Sequence, residues 1–117
     1  MRPVEVLFSV YITTNSTRSI LYTGMTNNLE QRIIEHYADR GTSRSFAGKY
    51  WAYFLVFYEC YSDPLQAILR EKEIKAWRRE KKEELITEFN PDWEFLNEEL
   101  LGEWPPLETF HRRSPWS

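Results

Sequence analysis

The sequence is poor in cysteine and in unbroken apolar stretches, and it has no excess of positive charge. A single cysteine, Cys60, in 117 residues leaves no internal disulfide and no Cys/His set of the kind that holds structural zinc. A reducing, cytoplasmic setting is therefore expected. No stretch approaches the ~20 apolar residues that span a bilayer. The opening MRPVEVLFSVYITT breaks its short apolar run with polar residues, so neither a membrane span nor a secretory leader is expected. Lys and Arg number 15 against 18 Asp and Glu, a formal net charge of −3. That balance argues against a protein that coats nucleic acid by bulk charge, but not against a local basic cleft.

Aromatic residues, by contrast, make up 16% of the chain, ample material for one core, and the length suits one domain. The domain is expected over 1–101. Residues 102–117, GEWPPLETFHRRSPWS, read as a flexible tail, with three prolines and no periodicity.

Leu7 to Thr14 reads as a strand, NSTRS as a turn and Ile20 to Gly24 as the return strand. Pairing Thr14 with Ser19 across a four-residue loop sets Tyr11 opposite Tyr22, on one face. Asn27 is the expected cap of a helix, with Glu30 completing a capping box. Leu29, Ile33 and Tyr37 share a face of that helix, and Arg32 and His36 lie along its border. Asp39 to Lys49 reads as a polar loop. Tyr50 to Glu59, YWAYFLVFYE, reads as a strand covered on both faces. Helix is expected from Leu65 to Phe89, broken near Arg78 to Glu84, and a short helix to Leu101 follows NPDW. Strands and helices in this order give an α+β fold, a small sheet covered by helices.

Among the polar residues, Glu71 is flanked on a helix by Ala67, Ile68 and Ile74. Either it pairs with Lys75 at i+4, or it lies on a cleft floor and anchors one hard divalent cation. Tyr11 and Tyr22 are hairpin tyrosines on one reading and site residues on the other. Arg32 and His36 carry the same ambiguity, and Asn90, before Pro91, is by default a turn or cap residue.

Taken in order, VYI at Val10 to Ile12, YTG at Tyr22 to Gly24, TNNLEQRIIEH, AILREKEIKAW and LITEFNPDWEFL resemble the GIY-YIG nuclease family. The similarity spans roughly Phe8 to Leu96. It is nearest to the small stand-alone bacterial members, which resemble the amino-terminal nuclease domain of the excinuclease C subunit. Val10 stands where the family has a glycine and Thr23 where it has an isoleucine. The resemblance implies a small three-stranded antiparallel sheet flanked by helices. It implies a site of Tyr11, Tyr22, Arg32, His36, Glu71 and Asn90, with Glu71 holding one divalent cation, Mg2+ or Mn2+. It also implies hydrolysis of DNA phosphodiester bonds, in repair or recombination.

These residue types suit that chemistry. A metal acts as a Lewis acid on the phosphate, and the planar fork of an arginine matches phosphate oxygens. A tyrosine can take the proton of water only with help, because its ordinary pKa is near 10. Arg40, Arg44, Lys49 and Lys75 are candidate DNA contacts, although acidic residues interleave the helical ones. The acidic balance keeps two rival readings open: a non-catalytic nucleic-acid-binding module, and a protein-interaction module. It also suggests that another protein supplies DNA affinity.

Overall fold

A computed structural model describes residues 6–106. Its elements are β1 (Phe8–Thr14), β2 (Leu21–Thr26), α1 (Leu29–Ala38), α2 (Phe46–Lys49), β3 (Phe54–Tyr61), α3 (Pro64–Ala76), α4 (Arg79–Phe89) and α5 (Asn97–Leu101). The three strands form one antiparallel sheet in the order β2-β1-β3. The expected α+β class and three-stranded sheet are what the molecule has.

Alternation along β1 divides the core in two. Val10 and Ile12 meet Val56 and Phe57 of β3, Ala67 and Ile74 of α3, and Ile86 of α4. Tyr11 points the other way, against Leu29 and Ile33 of α1 and Leu55 of β3, with Leu100 and Leu101 of α5 beside them. The sheet thus lies between α3/α4 and α1/α5. A bulge between Ile12 and Thr13 leaves Val56 as the extra residue of β3, and Val56 and Phe57 accordingly both enter the first cluster.

The hairpin register differs from the expectation by two residues. Tyr11 pairs with Gly24, and Tyr22 pairs with Thr13. The cause is the Asn15 side chain, whose Oδ1 accepts from the amides of Ser19 at 2.8 Å and Ile20 at 3.1 Å. Those amides are diverted from the ladder, so pairing begins at Leu21. A shift of two preserves the face, and both tyrosines still point the same way.

Other boundaries move for equally local reasons. Strand β2 continues to Thr26, so the α1 cap is Asn28, whose Oδ1 accepts from Gln31 at 3.1 Å; Glu30 completes no box with Asn27. Asp39 to Lys49 is not all loop, because Ser45 caps the turn of α2 by accepting from Gly48 at 3.0 Å. Trp51 then adopts φ 59°, which no strand accommodates, and β3 starts only at Phe54. Its far half is partly open rather than covered on both faces. The helical break falls at Trp77 and Arg78, both extended. Pro64 takes the first position of α3 behind the Asp63 cap, where its missing N–H costs nothing.

The outer edge of β3 is closed by two asparagines. Asn97 accepts from the Leu55 amide at 2.7 Å and donates to the Tyr53 carbonyl at 2.9 Å. Asn90 donates to the carbonyls of Val56 at 3.1 Å and Glu94 at 2.9 Å, and accepts from the Glu94 amide at 3.1 Å. The Leu96 amide adds a bond to the Leu55 carbonyl at 2.8 Å. The stretch of edge from Tyr53 to Val56, satisfied this way, offers no template to another strand.

Beyond Gly102 the chain does not leave the domain at once, as a tail from that point would. The Trp104 ring packs 4.9 Å from Tyr37 and 6.0 Å from Tyr53, and Pro106 is buried. The rest of the expected tail, 107–117, lies outside the described residues. Among the described residues no helix is long and apolar enough to cross a membrane.

Asn90→Ala should destabilise the domain by about 2–4 kcal/mol, because three hydrogen bonds go and buried backbone groups lose their partners. Denaturant unfolding of the variant checks this. A midpoint equal to the parent's would contradict the clamp.

Candidate active site

Tyr11 sits on the central strand and is 1% exposed. A buried hydroxyl needs a partner, and this one has His36, whose Nε2 lies 2.8 Å away. His36 is also 1% exposed, where the sequence placed it on a helix border. It reaches Tyr11 because α1 lays Leu29, Ile33 and His36 against the sheet. The Tyr22 ring is 6.2 Å from Tyr11 and 5.3 Å from His36.

Gly24 makes this possible. A Cβ there would come 2.6 Å from Cζ of Tyr11, so the tyrosine ring occupies the space that any other residue would fill. The glycine of YTG is needed for close approach of a side chain, not for a turn.

The electrostatics follow from burial and neighbours. Burial above all raises the Tyr11 hydroxyl past the ordinary phenol range. Tyr22 and, more weakly, Glu71 push the same way, and Arg32 opposes them. Burial first, and then the Arg32 charge, lower His36 to about 4 against the partial opposition of Asp39 and Glu35. Near neutrality, therefore, Tyr11 is a phenol and His36 a neutral imidazole. With the ring proton on Nδ1, the Tyr11 O–H donates to Nε2. Burial works against the Arg32 charge, but the Glu35 carboxylate, 3.0 Å from Nη1, and the two tyrosines outweigh it. Arg32 stays cationic, and its charge acts on the Tyr11 oxygen.

Glu71 comes from α3, which packs along β2 and β1, and its carboxylate acts on Tyr11. Its side chain is 20% exposed and also pairs with Lys75 at 3.3 Å. Both readings of Glu71 thus meet at one residue. A lone carboxylate with open coordination room suits a hydrated magnesium-type cation, which takes one or two carboxylates and keeps its waters. It does not suit zinc or calcium, for which more protein ligands are the rule. Among the described residues no group of three His, Cys, Asp or Glu converges on one point.

The structure therefore brings Tyr11, Tyr22 and His36 into contact, with the Arg32 and Glu71 charges acting on Tyr11. Asn90 is not with them; its side chain is committed to β3 and Glu94. With this geometry in view, residues 7–84 match the GIY-YIG catalytic domain. The chain belongs to the GIY-YIG family. It is similar to UPF0213 proteins, at 40% identity to one from Haloquadratum walsbyi over 68% of this chain and 85% of that one. The figures are 31%, 67% and 78% for one from Bacillus pumilus, and 37%, 68% and 93% for one from Staphylococcus aureus. No solved structure gives a significant match.

In this GIY-YIG domain the candidate DNA contacts are mostly engaged. Arg40 donates to the Tyr37 carbonyl at 2.7 Å and lies 3.8 Å over its ring. Arg44 pairs with Asp39 at 3.3 Å and Lys75 with Glu71. Lys49 sits 5.4 Å from the Tyr50 ring. Sequence reasoning missed Phe46, whose ring stacks 6.1 Å from Tyr22. Its signal was the interleaving of aromatic and basic residues in SFAGKYW.

Two outcomes follow from this packing. The folded pKa of His36, about 4, lies below the unfolded value near 6.5. Between those values the unfolded chain binds a proton that the folded one refuses. The His36 contribution is complete above pH 6.5 and is lost as pH falls toward 4, up to about 3 kcal/mol. Unfolding free energies measured across that window should fall more steeply for the parent than for His36→Gln; parallel curves would refute this. Gly24→Ala should cost about 1–3 kcal/mol by overpacking and displace Tyr11 from His36. Melting, with the His36 ring resonances followed by NMR, reads both effects.

Proposed function

We propose that this GIY-YIG domain is a metal-dependent endonuclease that hydrolyses DNA phosphodiester bonds, in repair or recombination. The observation that supports it best is one buried hydroxyl, Tyr11, hydrogen-bonded to a neutral imidazole and within electrostatic reach of the Arg32 cation and the Glu71 carboxylate.

Arg32 holds a non-bridging phosphate oxygen and stabilises the charge that grows on it in the transition state. Tyr22, on the same face, orients the phosphate. Tyr11 takes the proton of the attacking water on its oxygen while its own proton passes to Nε2 of His36. The phenol is restored as the imidazolium forms, and no free tyrosinate is needed. His36 alone is a weak base, but the entering DNA phosphates raise its proton affinity by their charge. Glu71 would hold the divalent cation, which when bound supplies Lewis-acid stabilisation of the phosphate and the leaving 3′ oxygen. Asn90 acts at a distance, by fixing β3 behind Tyr11.

Glu71→Gln keeps the size of the side chain and removes its charge. Nicking of a plasmid in magnesium should fall by at least about 100-fold, matching a Lewis-acid contribution of several kcal/mol. Stability should change by no more than about 0.5 kcal/mol, the worth of the i,i+4 pair with Lys75. Nicking by the variant equal to the parent's would remove Glu71 from the mechanism, and a parent that nicks no plasmid would favour a binding module on the same scaffold.

A further inference from the structure

Three aromatic rings lead outward from buried Tyr11. Tyr22 is half-buried, and Phe46 lies nearly parallel to it, 6.1 Å away at 22°. Tyr50 follows, 4.7 Å from Phe46. Phe46 is 50% exposed and Tyr50 40%, so neither ring is spent on the core. Ala47 and Gly48 are the residues of α2 that face inward.

The platform is tied to the domain through its backbone. Gly41 N–H donates to the Gly48 carbonyl at 2.9 Å, and Ala52 N–H donates to the Ala47 carbonyl at 2.8 Å. A Cβ at Gly48 would come 2.6 Å from the Asp39 carbonyl oxygen, so α2 is seated backbone to backbone on the preceding loop. A preformed surface loses little freedom on binding. Charge points the same way. The net charge is −3, and Arg44 and Lys75 are ion-paired within the chain. Lys49 makes no ion pair among the described residues. Bulk charge therefore adds little, and contacts other than phosphate pairing can contribute to affinity.

We propose that Phe46 and Tyr50, continuing from Tyr22, form a stacking shelf for an unpaired nucleobase beside the phosphate held at Tyr11 and Arg32. The preferred substrate is then single-stranded DNA, or the unpaired arm of a branched one. This rests on the nuclease reading of the site. Aromatic side chains stack on base faces, which are open in an unpaired strand and covered by neighbours inside a duplex.

The test titrates the full chain in EDTA, so that nothing is cleaved, against one oligodeoxynucleotide containing 2-aminopurine. The oligonucleotide is presented as a single strand, as a forked arm and as a blunt duplex. Aminopurine fluorescence should change on binding the single strand and the fork, and both should bind more tightly than the duplex. Phe46→Leu and Tyr50→Leu keep apolar bulk without a π-face. Each should weaken single-strand binding by about 5- to 150-fold, the ordinary worth of one stacked base, with the salt slope unchanged. Lys49→Gln should instead reduce that slope by about 0.7. Melting of the leucine variants should match the parent, since both rings stand half in water. Equal affinity for duplex and single strand, or leucine variants that bind like the parent, overturns the proposal. Failure of the nuclease reading is separate: it shows as no cleavage by the parent chain in magnesium and leaves these titrations where they are.

Discussion

The hydrogen bond between Tyr11 and His36 is the constraint on which the site depends. Two polar side chains are buried at the centre of the domain, and each satisfies the other at 2.8 Å. Without the imidazole the hydroxyl would lack its acceptor, a loss of about 1–3 kcal/mol in a buried setting. Burial also fixes their protonation states, keeping the phenol protonated and the imidazole neutral. One contact therefore packs the α1 layer onto the sheet and sets up the direction in which a proton can move.

The neighbours of that contact are arranged around it by the fold. Gly24 vacates the space that the Tyr11 ring takes. Strand β1, carrying Tyr11, is the central strand and so the most constrained of the three. The sheet edge at β3 is tied down by Asn90 and Asn97, which steadies the strand beside Tyr11. Glu71 arrives from the layer on the other side of the sheet, so the site is closed only when both layers are docked.

The surface outside this site carries a different kind of information. Its basic residues are largely satisfied by carboxylates, carbonyls and rings of the same chain. Its aromatic residues at α2 are not satisfied by burial.

Much of this was legible in the sequence because it is written in short-range chemistry. The strand pair, the proline-led start of α3, the break before α4 and the order of the motifs all depend on neighbouring residues. The shared face of Tyr11 and Tyr22 also survived a register error, since a slip of two residues preserves side-chain parity. The register itself was decided by the Asn15 side chain capturing two loop amides, a competition that strand propensity does not weigh. Burial of His36 was decided by the docking of α1, and the edge-closing role of Asn90 by β3 passing next to it. The Phe46–Tyr50 shelf was decided by a four-residue helix seated on a backbone glycine. Each of these joins residues far apart in the chain or sets a local alternative against a tertiary one, and so only the folded molecule decides it.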